Sequence, residues 1–173
     1  HMKSRNLRRT GAQMHNCRAV ELGSFDFSPY GEVHRLKPGQ KDIVSSVGDG
    51  WSGVFTGKPL NDRRGNLGMT YSTPAPCFVK SMERHFHTKE ALFACGSPIV
   101  LAVADTKSEA PEAKDVKAIV LREGDLVILK EGIWHDACHG LGVPTCYYWY
   151  AECDPAITDP WVAISGGPIN LLI

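Results

Sequence analysis

The chain of 173 residues has no apolar run approaching the roughly eighteen residues needed to cross a bilayer. It has no net charge either, its 19 basic residues matching 19 acidic ones. The molecule as a whole therefore gives no electrostatic case for binding nucleic acid or a membrane surface. Its six cysteines, Cys17, Cys77, Cys95, Cys138, Cys146 and Cys153, form no C-x-x-C pair. Nothing resembles a secretory signal, so a disulfide framework has little support. Most of the thiols read as small buried hydrophobes in a reducing compartment, and the expected location is cytoplasmic. Internal repeats and long amphipathic helices are also missing. What is left is one domain of ordinary globular composition, 43% hydrophobic and 22% charged, long enough to bury its own core.

The charge that is present is unevenly placed. Lys3, Arg5, Arg8, Arg9 and Arg18 all precede the first acid, Glu21. Residues 1–18 read as a basic arm that packs on the domain or on a second subunit, with His1 and Met2 as a tag remnant. Residues 19–173 read as a single β domain. Short segments rich in β-branched and aromatic residues recur between turns: "RAVELG", "DIVSSV", "WSGVFTG", "PIVLAVA", "VKAIVL", "DLVIL" and "TCYYWYAE". "AVADTKSEAPEAKDV" reads as a charged surface loop, and "DPWVAISGGPINLLI" as an apolar tail against the body. Many short strands near ten-residue spacing predict an all-β sandwich or barrel.

Chemistry gathers in "ERHFHTKE" and "GDLVILKEGIWHDACH". Strand alternation would place Glu83, His85 and His87 on one face of "CFVKSMERHFH", with Phe78, Met82 and Phe86 buried on the other. Two imidazoles at that spacing can grip one ion from the same side, and Glu90 could fold back as an oxygen ligand. In the second segment a buried strand leads to a turn at Gly132, which presents Trp134 and His135. A barrel bringing the segments together would offer His85, His87, Glu90 and His135 to one ion. That mixed nitrogen and oxygen set suits Zn, Mn, Ni or Fe better than Mg or Ca. Lys80 and Arg84 fall on the face opposite His85 and read as structural or intersubunit groups.

The spacing resembles the two signature motifs of the cupin superfamily. The first is matched by His85, His87, Glu90 and Gly96, with two residues rather than three or more between His87 and Glu90. The second is matched by Gly124, Gly132 and His135, with Lys130 in place of the usual proline and His139 where asparagine is common. Within cupins the wording resembles the ureidoglycolate lyase (ureidoglycolate hydrolase) family: Tyr30, Gly31 and Val33, then Glu83-Arg84-His85, Glu90 to Phe93, "PIVLAVA" and Trp134-His135-Asp136. The resemblance implies a cupin-type double-stranded β-helix, a jelly-roll barrel with few short helices. It also implies cleavage of ureidoglycolate to glyoxylate and urea.

Such a reaction needs a group to take the hydroxyl proton and one to protonate the departing nitrogen. Glu83 and His139 are the candidates, since burial can tune both types towards neutral pH. Tyr30, Trp134 and Tyr148 are candidate pocket-lining residues. The expected partners are a small-molecule substrate and a second copy of the chain, as a homodimer. Two other readings stay open: another metal-dependent cupin enzyme, such as a dioxygenase or a sugar or keto-acid isomerase, and a non-catalytic small-molecule-binding cupin.

Overall fold

A computed structural model describes residues 14–173 of the chain. The strands, in chain order, are β1 (His15–Glu21), β2 (Gly31–Arg35), β3 (Ile43–Gly48), β4 (Trp51–Thr56), β5 (Asn66–Ser72), β6 (Pro74–Ala75), β7 (Cys77–Val79), β8 (Ser81–Met82) and β9 (Glu90–Ala94). They continue with β10 (Ile99–Ala104), β11 (Lys117–Leu121), β12 (Asp125–Leu129), β13 (Trp134–His135), β14 (His139–Leu141), β15 (Thr145–Ala151), β16 (Val162–Ala163) and β17 (Ile169–Leu172). Helix among the described residues is confined to two 3-10 turns, Leu22–Ser24 and Ala113–Asp115.

Two sheets face each other in a nearly closed barrel. One runs β6-β14-β10-β11-β1-β17-β7 with β13 alongside β10, the other β2-β12-β9-β15-β5. Between them lies a core containing Leu92, Leu101, Ile119, Val127, Leu129 and Tyr147. The reverse face of the first sheet is covered as well: Val100, Ala102, Ala118 and Val120 pack with Met82, Trp134, Ile169 and Leu171. This double burial explains why β10 reads as a continuous apolar run, since every one of its residues is buried. The all-β expectation holds, and the final apolar segment is more than a tail: β17 is a strand paired with both β1 and β7.

Some local expectations change. The boundary drawn at residue 18 falls inside β1, and residues 1–13 of the basic arm lie outside the described residues. The stretch from Cys77 to His87 is not one strand. The pleat breaks between β7 and β8 and ends after Glu83, so face alternation does not carry through. Met82 is fully buried, but Phe78 and Phe86 are 53% and 63% exposed. Nor is the region after Ala104 all surface, because Thr106, Ala113 and Val116 are buried. Of the cysteines only Cys17 and Cys138 are buried, while Cys95 and Cys153 are exposed, and all six are free thiols.

Candidate functional site

The site is assembled by a backbone clasp between its two segments. Glu83 and His135 are cross-strand neighbours: the Glu83 N–H donates to the His135 carbonyl at 3.0 Å and the His135 N–H to the Glu83 carbonyl at 2.9 Å. One turn further on, the Gly132 N–H donates to the His85 carbonyl at 2.7 Å. Gly132 has φ +81°, a left-handed conformation, and the Phe86 ring lies where a Cβ would project. On its other side β13 pairs with β10, Val103 opposite His135. The third piece is Glu90, the first residue of β9. The pleat turns it with Leu92 towards the barrel interior, while Ala91 and Phe93 face outward.

These elements bring four side chains to one point. The Nε2 of His85 lies 3.2 Å from Glu90 Oε2 and that of His135 lies 3.0 Å from the same oxygen. Glu83 Oε1 is 3.9 Å from each of the two Nε2 atoms. Ligand atoms of Glu83, His85 and His135 all fall within 4.8 Å of one another. His135 is 4% exposed, and its Nδ1–H donates to the Ile133 carbonyl at 3.0 Å. That bond fixes the tautomer and leaves the Nε2 lone pair inward. Although Glu90 is close, it is not aligned with that nitrogen, which is buried without a hydrogen-bond partner. An orphaned, inward-aimed imidazole nitrogen beside carboxylates is what a divalent transition metal requires, so the residues fit such an ion.

The electrostatics follow from burial and pairing. Burial would depress the His85 imidazolium, but hydrogen bonds to Glu90 and Asp159 carry its pKa up to about 9. Burial would raise Glu90, yet His135 and His85 pull it down to about 2, so it is a permanent anion. Glu83 is raised by burial, which outweighs the two nearby imidazoles.

The cluster forms one wall of a cavity of about 500 Å³, a volume suited to a small molecule. Leu92, Tyr147 and Trp149 line it from the barrel interior, and Glu152, Cys153, Asp154, Pro155, Ile157, Asp159 and Trp161 complete that side of it. Its described lining includes Glu83, Glu90, Asp136, Glu152, Asp154 and Asp159, and no lysine or arginine.

The ureidoglycolate lyase family model matches residues 14–155. The chain belongs to the ureidoglycolate lyase family. No curated protein sequence matches it. Among solved structures it resembles the WlaRB TDP-quinovose 3,4-ketoisomerase of Campylobacter jejuni, with TM-score 0.50 at 9% identity over 76% of this chain and 90% of that one. A dTDP sugar isomerase of Desulfovibrio desulfuricans G20 gives TM-score 0.53 at 10% identity, over 78% and 85% of the two chains. At such identities the likeness shows the fold, a cupin barrel, and nothing about substrate.

In this member of the ureidoglycolate lyase family the residues singled out from sequence go to different places. Glu83, His85, His87, Glu90 and His135 all line the cavity. His87 points elsewhere within it: its Nε2–H donates to the Glu152 carbonyl at 3.0 Å. His139 lies outside the lining, with Nε2 2.8 Å from Asp136 Oδ2 and Nδ1 3.3 Å from the Thr73 carbonyl. Tyr30 is a buried neighbour of Phe25 and Phe27. Trp134 is also buried, its indole N–H donating to the Thr106 carbonyl and its ring lying under the Arg84 guanidinium. Tyr148 stacks on Phe93 on the outer face of its sheet. The aromatic residues lining the cavity from β15 are its neighbours Tyr147 and Trp149, with the opposite parity; Trp149 Nε1–H donates to Thr70 Oγ1. Both faces of "TCYYWYAE" carry aromatic side chains, and only the sheet pairing shows that Tyr147 and Trp149, not Tyr148, face inward. Asp159 is hydrogen-bonded to His85 at 2.7 Å and was missed because an isolated aspartate in an irregular segment carries no pattern.

Proposed function

We propose that the protein is a metal-dependent carbon–nitrogen lyase that cleaves ureidoglycolate, or a closely related ureido or 2-hydroxy acid. The observation that carries this reading is the convergence of His85, His135, Glu90 and Glu83 in a small-molecule cavity of a chain of this family. On taking up an ion His85 and His135, whose pKa values are both raised, would release the proton on Nε2 and offer neutral nitrogens, and Glu90 would offer its carboxylate, so these three would hold the ion. A divalent transition metal (Zn, Mn, Ni or Fe) would supply the positive charge that binds the substrate carboxylate and hydroxyl and acidifies the hydroxyl. The described lining of the cavity has no lysine or arginine for that task. Glu83, at 3.9 Å from both imidazoles, would be the carboxylate available to the substrate hydroxyl. Its carboxylate accepts the hydroxyl proton as the carbonyl of glyoxylate forms and the C–N bond breaks. The same proton then goes to the nitrogen of the departing urea, leaving Glu83 as it began. Tyr147, Trp149 and Leu92 form an apolar wall that excludes water from the bond being broken.

The test is release of urea and glyoxylate by protein reconstituted with each metal. Glu83→Gln is expected to keep the ion and lose turnover by about 100-fold or more, whereas His135→Ala is expected to lose the ion itself. Absence of turnover in a protein carrying stoichiometric metal would overturn the lyase reading. Turnover of a nucleotide-linked keto-sugar instead would favour the isomerase chemistry of the structural neighbours.

Assembly as a homodimer belongs to the same reading. Among the described strands β5 ends its sheet with one open edge, it carries no charge or proline to blunt that edge, and Leu67 and Tyr71 on it are 68% and 78% exposed. Light scattering should give twice the chain mass, and a monomer at micromolar concentration would count against it.

A further inference from the structure

We infer that Asp159 is the positioning residue that fixes His85 for metal binding, and that it does so from a strap that lines the cavity. The inference rests on the metal reading above. Asp159 lies beyond residue 155, where the family match ends. Its Oδ2 accepts a hydrogen bond from the His85 Nδ1–H at 2.7 Å and sits 3.7 Å from His87 Nδ1. A carboxylate on Nδ1–H selects the tautomer with its lone pair on Nε2, orients the ring and makes that nitrogen more basic. The selected nitrogen is the one that faces Glu90 and Glu83.

The strap itself explains how a carboxylate from so far along the chain reaches this position. It starts at Glu152, whose N–H donates to Thr88 Oγ1 at 3.0 Å and whose carbonyl accepts from His87 Nε2–H. It ends at β16, which pairs with β8. Between these anchors every residue from Cys153 to Trp161 is exposed except Asp159, so its carboxylate is the point where the strap enters the site. The strap also brings Ile157 and Trp161 to the cavity lining.

Metal affinity decides the matter, measured by competition with a chelator on metal-free protein loaded with Zn²⁺, for the parent, Asp159→Asn and Asp159→Ala. The alanine variant should bind about 10–100-fold more weakly. The asparagine variant should fall between, because its amide oxygen still accepts from Nδ1–H but carries no charge. Nitrogen-detected NMR of the zinc-free forms, recorded above the His85 pKa of about 9 so that the ring is neutral, should show His85 with its proton on Nδ1 in the parent and as a tautomer mixture in Asp159→Ala, with the fold of both intact by circular dichroism. Equal affinity in all three proteins, with zinc bound by the parent, would overturn this inference alone. Equal losses in the two variants with an unchanged His85 tautomer would make Asp159 a structural tether and overturn it as well. A parent that binds no zinc would sink the metal reading and this inference together.

Discussion

His85 and His135 present the same ring nitrogen to the same carboxylate, at 3.2 and 3.0 Å, yet they are oriented by opposite means. His135 is held by the carbonyl of Ile133, two residues away, in a turn built around a glycine and anchored by the buried strand β12. Its environment is nearly complete within one short stretch of chain. His85 is held by Asp159, a carboxylate 74 residues later, and stands on irregular backbone. One ligand is preorganised by local structure; the other depends on a distant strap being in place. His139 is an intermediate case, paired with a carboxylate three residues before it.

The comparison can be broken most severely at His135. Replacing it with alanine should reduce bound metal from near stoichiometric to background in elemental analysis, since no neighbouring group offers the same buried nitrogen. Retention of full metal content would remove His135 from the ligand set and the contrast with it. Next in size is Gly132→Ala, which strikes the clasp that both histidines share. An alanine there meets the left-handed φ and the Phe86 ring, at a cost of about 1–3 kcal/mol. Thermal unfolding should shift down by several degrees, and metal affinity should fall because the His85 carbonyl and His135 lose their common anchor. An unchanged melting temperature would show that the turn relaxes freely.

The smallest effect sharpens the intermediate case. The hydrogen bond to Asp136 raises the His139 pKa above its ordinary value, outweighing burial, with the Thr73 carbonyl adding to it. Because the folded value lies above the unfolded one, this pair's contribution is fully present below about pH 6.5 and is lost as pH rises through the folded pKa. The Cys77 thiol, raised by burial and by Asp136, and the Cys138 thiol, raised by burial, Glu90 and Asp136, are titratable groups near the pair. In Asp136→Asn the NMR-measured His139 pKa should return towards the ordinary histidine value. The shallow loss of stability above pH 6.5 should then flatten. A His139 pKa unmoved by the substitution would mean that the pair carries no charge.

Much of the barrel was legible because strand signals are local. "PIVLAVA", "VKAIVL" and "DLVIL" declare buried strands by composition alone, and all three are strands. The histidine and glutamate spacing pointed to the two segments that meet at the site. Legibility failed where a side chain's direction depended on which sheet edge or loop it met. Alternation could not say that "CFVKSMERHFH" breaks at Lys80 and again after Glu83, because the break is imposed by β17 pairing with β7, β16 pairing with β8 and β13 pairing with Glu83. It could not choose between Tyr148 and its neighbours, because both faces of β15 are aromatic.

The sequence by itself determined that this chain makes a β barrel, because periodicity is a property of neighbouring residues, and its motif spacing offered His85, His87, Glu90 and His135 to one centre. Only the tertiary structure decided that His87 turns to the Glu152 carbonyl, that His139 pairs with Asp136 without itself lining the cavity, and that Asp159 holds His85. Those outcomes are hydrogen bonds whose formation depends on how sheets and strap pack. An imidazole with two usable nitrogens takes its role from whichever partner the fold delivers to it.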